Sequence, residues 1–175
     1  MRWPRTLSFD LETELRPSNI PLAGTGLFAL EAASAGQLLG LDLPQPDWIR
    51  TPEHVGTLPH EERRYAWRLF GDLCFLEPTE RRCATDYLNH ADDPNILWHL
   101  GHYFARRDIA IGDELFVDYR IMNHPDWGAP FEGGPVGLPW REALALSSRQ
   151  LSELLASAAL LQDDVRPPPK VTSGS

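Results

Sequence analysis

The chain has 175 residues, of which 42% are hydrophobic, 10% aromatic and 23% charged. That is about one domain of sequence with enough apolar material for a core, which excludes a wholly disordered chain. Lys plus Arg is 16 and Asp plus Glu is 25, a net charge of −9, which argues against nucleic-acid binding through a basic face and suits a cationic partner.

Residues 8–14, 26–30 and 37–43 alternate apolar and polar residues between turn formers at 17–19 and 34–36, and are expected to be strands. Prolines interrupt this β-rich opening at 44, 46 and 52. Thr51 then caps, and Pro52 opens, helical text reaching to Leu69, so residues 44–70 read as an insertion. Strand text resumes at GDLCFLEP (71–78) and gives way to a polar stretch, residues 79–95. Further strands are expected at 96–99, 102–105 and 114–119, with Gly101 and Gly112 in turns. Residues 122–139, rich in Gly, Pro and aromatics, read as a loop. Residues 140–161 read as a helix with Leu144, Leu151, Leu155 and Ala158 on one face, and 163–175 as a flexible tail.

Cys74 and Cys83 are too few for a disulfide framework or a four-Cys zinc site. One bridge is compatible with their spacing, but reduced thiols are the expected state. The first residues carry no apolar run of signal-peptide length, and no stretch approaches the roughly 20 apolar residues that span a bilayer. A soluble, cytoplasmic protein is therefore expected. His99 and His102 form H-x-x-H in strand-like text, where a separation of three is expected to place them on opposite faces, which argues against a shared metal.

Taken alone, GTGLFA (24–29) is weak evidence: Gly24 and Gly26 let the backbone turn tightly or approach a ligand, with a plain turn favoured, and the third glycine of a dinucleotide fingerprint is absent. Neither a P-loop nor a G-x-S-x-G elbow is present. The order of three segments is more specific: GTGLFALEAASAGQLLG, then YLNHADDPN, then FARRDIAIGDELFVDYR. Together they resemble the SET-domain protein lysine methyltransferases, whose pattern is a glycine-containing first motif, Asn-His followed shortly by Pro-Asn, and a Gly-(Asp/Glu)-Glu-Leu run ending in Asp-Tyr.

The resemblance implies a mainly β fold of small twisted sheets with short helices and a knot-like threading of the C-terminal motif near Asn89 and His90. It places a catalytic domain over residues 5–122, with the loop and helix of 123–162 packed on it. It also implies S-adenosyl-L-methionine as methyl donor. Carried onto this sequence, Gly24, Thr25, Gly26, Leu27 and Phe28 would lie against the cofactor, largely through backbone groups. Asn89 and His90 would hold its amino-acid and adenine portions, Tyr119 would stand at the transfer centre, and Tyr87 would line the lysine channel or pack nearby. Asp118 and Glu114 read as structural acceptors.

Two departures from the family pattern stand out. Ala91 replaces a frequent Ser and is followed by Asp92 and Asp93, and no cysteine cluster follows Tyr119. Trp127, Phe131 and Trp140 are candidates to close the site in place of a zinc-bearing cap. The implied partner is a protein presenting a lysine, with a basic one suited to the acidic chain. Neither nucleic acid nor membrane is expected, and a monomer is the default, with a dimer open if a leucine stripe on the C-terminal helix is exposed. The alternatives are an interaction module of the same fold without transferase activity, and a methyltransferase acting on a small molecule or a non-lysine side chain.

Overall fold

The computed structural model describes residues 2–3, 9–42, 45–63, 65–71, 73–76, 83–127, 129 and 133–162, with residues 3, 70 and 158–162 described in backbone only. The expected strand ends at Ser8 and Leu43, the candidate Phe131 and the tail 163–175 lie outside the described residues.

Among the described residues, four small sheets make up the architecture. The first joins β1 (Arg2–Trp3), β2 (Thr13–Pro17) and β3 (Thr25–Ala29), antiparallel throughout. The second places β10 (His102–Ala105) between β4 (Leu38–Leu41) and β9 (Ile96–His99). The third, β5 (Ile49–Arg50), β6 (Ala66–Phe70) and β7 (Leu73–Leu76) in the order β5-β7-β6, is built mostly within the expected insertion. The fourth is a two-residue parallel ladder of β8 (Asn89–His90) and β11 (Phe116–Val117). Short helices α1 (Pro52–Gly56), α2 (His60–Arg63) and α3 (Tyr119–Met122) punctuate the strands, and the long α4 (Trp140–Gln162) closes the described chain. This is the mainly β arrangement of small sheets that the motifs imply. Of the knot-like arrangement, the structure shows the side-by-side pairing of the Asn89-His90 motif with the C-terminal motif. Among the described residues, no helix is long and apolar enough to cross a membrane.

Several expectations are corrected. Helical text was expected to run to Leu69, but Ala66–Phe70 forms a strand. Alternation explains this. Trp67 joins the main core with Phe75, whereas Ala66 and Cys74 face a second cluster with Val55 and Trp127, so both faces of the sheet are buried. The expected strand 114–119 is shortened to Phe116–Val117, because the Asp118 side chain accepts from Arg120 N and caps α3, turning Tyr119 into a helical residue. On α4 the buried side chains are Ala143, Ser147 and Leu154, not the predicted set. Leu144 and Leu151 are half-buried, Leu155 is exposed, and the side chain of Ala158 is not described. His99 and His102 do not lie on opposite faces. The turn at Leu100–Gly101 makes them direct cross-strand partners, and His99 Nδ1 lies 2.9 Å from Ser147 Oγ on α4. Cys74 is a buried thiol and Cys83 a half-buried one, whose Sγ lies 2.9 Å from Thr85 Oγ1.

Asp42, just beyond β4, ties the second sheet together. Paired residues Trp98 and Tyr103 donate to its two carboxylate oxygens, Trp98 Nε1 to Oδ2 at 2.8 Å and Tyr103 Oη to Oδ1 at 2.8 Å. Desolvation pushes the carboxyl up to about 6 despite these bonds, which favour the charged form. Above that pH the folded protein carries a poorly solvated charge. As pH falls through it, the native state takes up a proton that the unfolded chain, with its lower pKa, does not, and stability from this group rises. In urea titrations from about pH 5 to about pH 8, wild type should lose on the order of 1 kcal/mol relative to Asp42→Asn. A constant difference across that range would contradict this.

Candidate active site

The C-terminal motif runs as a seam between the other two. Ala29 N donates to Asp113 O at 2.9 Å and Leu115 N to Leu27 O at 2.8 Å, so residues 113–115 lie alongside β3. The next two residues pair with β8, Phe116 against Asn89 and Val117 against His90, and Ala91 N then donates to Val117 O at 3.1 Å. Asn95 clamps this seam from the side. Its Nδ2 donates to Glu114 O at 2.8 Å and its Oδ1 accepts from Phe116 N at 2.8 Å, so one buried amide satisfies both flanks of Leu115.

Glu114 is the hub of the glycine motif. It is buried, and its Oε1 accepts from Ser18 Oγ at 2.6 Å and Asn89 Nδ2 at 3.2 Å, while Oε2 accepts from Asn19 N at 2.7 Å. Asn89 Nδ2 also reaches Thr25 O at 3.2 Å. A Cβ on Gly26 would sit 2.2 Å from Glu114 Oε1 and 3.3 Å from Asn89 Nδ2, so glycine is required there by close approach. Gly24 is required for another reason, its φ of +75°.

The predicted residues are thereby brought together, though not all in the same way. Gly24 and Thr25 are exposed, Gly26 lies beneath Glu114, and Leu27 packs into the core. Phe28 is buried with the Arg16 guanidinium 3.9 Å from its ring centroid. Asn89 and His90 sit side by side, both half-buried. His90 Nδ1 accepts from Tyr119 N at 3.2 Å, which assigns the ring proton of neutral His90 to Nε2, 3.7 Å from Asp92 Oδ1. Tyr119 Oη donates to Leu88 O at 2.7 Å. Burial, and secondarily the charge of Asp86, hold the Tyr119 phenol far above its usual range, so it is neutral at any physiological pH. Tyr87 is half-buried against the core at the end of a 3-10 turn, Ala84–Tyr87, that packs on β3. Asp118 is the structural acceptor it was expected to be. It caps α3 and accepts from the Arg120 guanidinium, Nε to Oδ1 at 2.9 Å and to Oδ2 at 3.2 Å, and Nη2 to Oδ2 at 2.8 Å.

Of the closing candidates, Trp127 is buried with Val55, Ala66 and Cys74, and Trp140 lies near the Arg68 guanidinium, 5.7 Å from its ring centroid. Trp127 therefore packs the chain that follows α3 onto the sheet of the insertion. Sequence reasoning missed Trp67, whose ring centroid is 5.6 Å from that of Tyr119. The only signal was the alternation of YAWRLF, hidden by reading the segment as helix.

The family model of the SET domain matches residues 24–120, more than half of the chain. The protein belongs to the SET-domain family. A search of curated proteins finds no match. Among solved structures, a humanized mutant of the Chaetomium thermophilum Polycomb Repressive Complex 2 bound to an inhibitor aligns at 23% identity with a TM-score of 0.51, covering 61% of this SET-domain protein and 14% of that chain. A second inhibitor-bound structure of that complex gives 22% identity and a TM-score of 0.52, with 61% and 15% covered. At these identities the likeness concerns the fold alone, and this SET domain corresponds to a small part of those longer chains.

The packing around Gly26 has a measurable consequence. Because Glu114 is fixed by three donors, it cannot swing aside for a methyl group, and Gly26→Ala should destabilise the fold by about 1–3 kcal/mol in urea unfolding. Gly24→Ala, with open space around the added Cβ, should cost only the backbone strain, on the order of 1 kcal/mol. Equal losses in the two variants would show that Glu114 does not fix the position.

Proposed function

We propose that this SET-domain protein transfers a methyl group from S-adenosyl-L-methionine to the side-chain amine of a lysine in a protein substrate. The observation that carries the reading is the position of Tyr119. Its hydroxyl is fixed on the Leu88 carbonyl one residue before Asn89, on a strand that pairs with the continuation of the seam along the glycine motif.

The residues present fit the donor. Exposed backbone at Gly24 and Thr25, the Asn89 amide and the Glu114 carboxylate offer polar partners to an amino-acid group. The Leu88 carbonyl and Tyr119 oxygen supply negative partial charge for a sulfonium. When bound, the donor supplies an electrophilic methyl, and the protein's part is to orient the amine in line with it and exclude water. With its proton committed to Leu88 O, Tyr119 Oη keeps lone pairs with which to accept from the incoming amine. A phenol with so high a pKa does not remove the ammonium proton, which leaves for solvent before transfer. The net charge of −9 favours encounter with a basic protein, and rim carboxylates such as the exposed Asp92 add to that field.

Calorimetric titration with S-adenosyl-L-methionine should give saturable binding near one equivalent, weakened about tenfold in Asn89→Ala by loss of a hydrogen-bonding amide. Tyr119→Phe should retain donor binding and lose about a hundredfold or more in methyl transfer, read by mass spectrometry of a lysine-rich protein substrate. Binding without transfer to any protein would favour an interaction module, and a methylated product without methyl-lysine would favour a different acceptor.

A further inference from the structure

Two hydrogen bonds hold the ends of Tyr119, its amide to His90 Nδ1 and its hydroxyl to Leu88 O, but neither fixes the faces of the ring. Rings from distant parts of the chain do. The His90 ring centroid lies 5.6 Å from that of Tyr119 at 34°, and the Trp67 ring 5.6 Å away at 58°. His90 belongs to a site motif, whereas Trp67 comes from β6 in the insertion and is only 7% exposed.

The strand that presents Trp67 is itself fixed from its other face. Arg68 is buried, donates from Nη2 to Leu138 O at 2.8 Å and lies over Trp140. Leu138 N in turn donates to Arg120 O at 2.8 Å, one residue beyond Tyr119. Consecutive residues of β6 therefore reach α3 by two routes, Trp67 directly through the Tyr119 ring and Arg68 through the chain at Leu138.

We infer that Trp67 is a positioning residue for Tyr119: its indole restricts the phenol ring so that the hydroxyl stays on the Leu88 carbonyl, and the insertion thereby sets the geometry of transfer. The kinetic consequence rests on the methyl-transfer reading above, while the restriction of the ring does not. Tilted aromatic contact at this separation is attractive and directional, which Leu in place of Trp cannot reproduce and Phe reproduces in part.

The test compares wild type, Trp67→Leu and Trp67→Phe in the full chain by NMR of isotopically labelled tyrosines, with Tyr119 signals assigned by their loss in Tyr119→Phe. In wild type the Tyr119 ring should show an indole ring-current shift and slow ring flips. Trp67→Leu should abolish both, and Trp67→Phe should give flips faster than in wild type but slower than in Trp67→Leu. In parallel, Trp67→Leu should lower kcat about tenfold with little change in KM or in the calorimetric Kd for S-adenosyl-L-methionine, and Trp67→Phe should recover most of the rate. Should Trp67→Leu fail to fold, the smaller Trp67→Phe changes in flip rate and kcat carry the test. Tyr119 signals indifferent to Trp67, or a ring set free with kcat unchanged, overturn the inference. Signals that respond as expected in a protein without methyl transfer uphold the ring restriction and sink the enzymatic reading instead.

Discussion

The carboxylate of Glu114 is the constraint on which the rest of the site depends. A buried charge is tolerated only when fully hydrogen-bonded, and this one draws its donors from Ser18, Asn19 and Asn89. These donors lie in the β2–β3 turn and in the Asn-His motif, so satisfying one acid forces the glycine turn, the β8 strand and the C-terminal seam into a single arrangement. The backbone of Glu114 is fixed as well, by Asn95 at its carbonyl. Hydrogen bonds to a charged group contribute about 1.5–3 kcal/mol each, and an orphaned acceptor here would cost more than any one of them gains.

Around that seam the molecule is layered through the insertion. Its sheet presents Trp67 and Phe75 to the main core and Ala66 and Cys74 to Trp127 and Val55, so the chain following α3 folds back over the insertion's far face. Gly137 lets this returning chain press on Asn123, where a Cβ would sit 2.2 Å from the carbonyl oxygen. The insertion is thus held between Tyr119 and the C-terminal segment.

Much of this was legible in the sequence where local chemistry decides the outcome. Thr51 and Pro52 start α1, Gly101 turns between β9 and β10, and the three motifs meet at one place, with the third between the other two. Legibility failed where tertiary burial overrides pattern. YAWRL reads as the end of helical text until both faces prove to be covered, and the leucines of α4 do not reveal that Ala143 and Ser147 are buried, Ser147 against His99 of β9. Tyr119 at the start of a helix was hidden because Asp118 resembles strand text and acts as a cap. The roles expected of Asn89, His90 and Tyr119 rest on the family resemblance, because no periodicity marks these residues.

The parallel ladder between β8 and β11 also bears on how the molecule forms. Antiparallel neighbours such as β9 and β10 meet across a two-residue turn, but Val117 pairs with His90 only after the whole intervening chain has looped back, and Leu115 must also find Leu27. Contacts of such sequence separation carry their loop-closure entropy before they return any stabilisation, and they form late. Hairpins close over short loops, whereas the meeting of the three motifs requires the whole stretch from Gly24 to Tyr119, so local sheets are expected to form before the motifs come together.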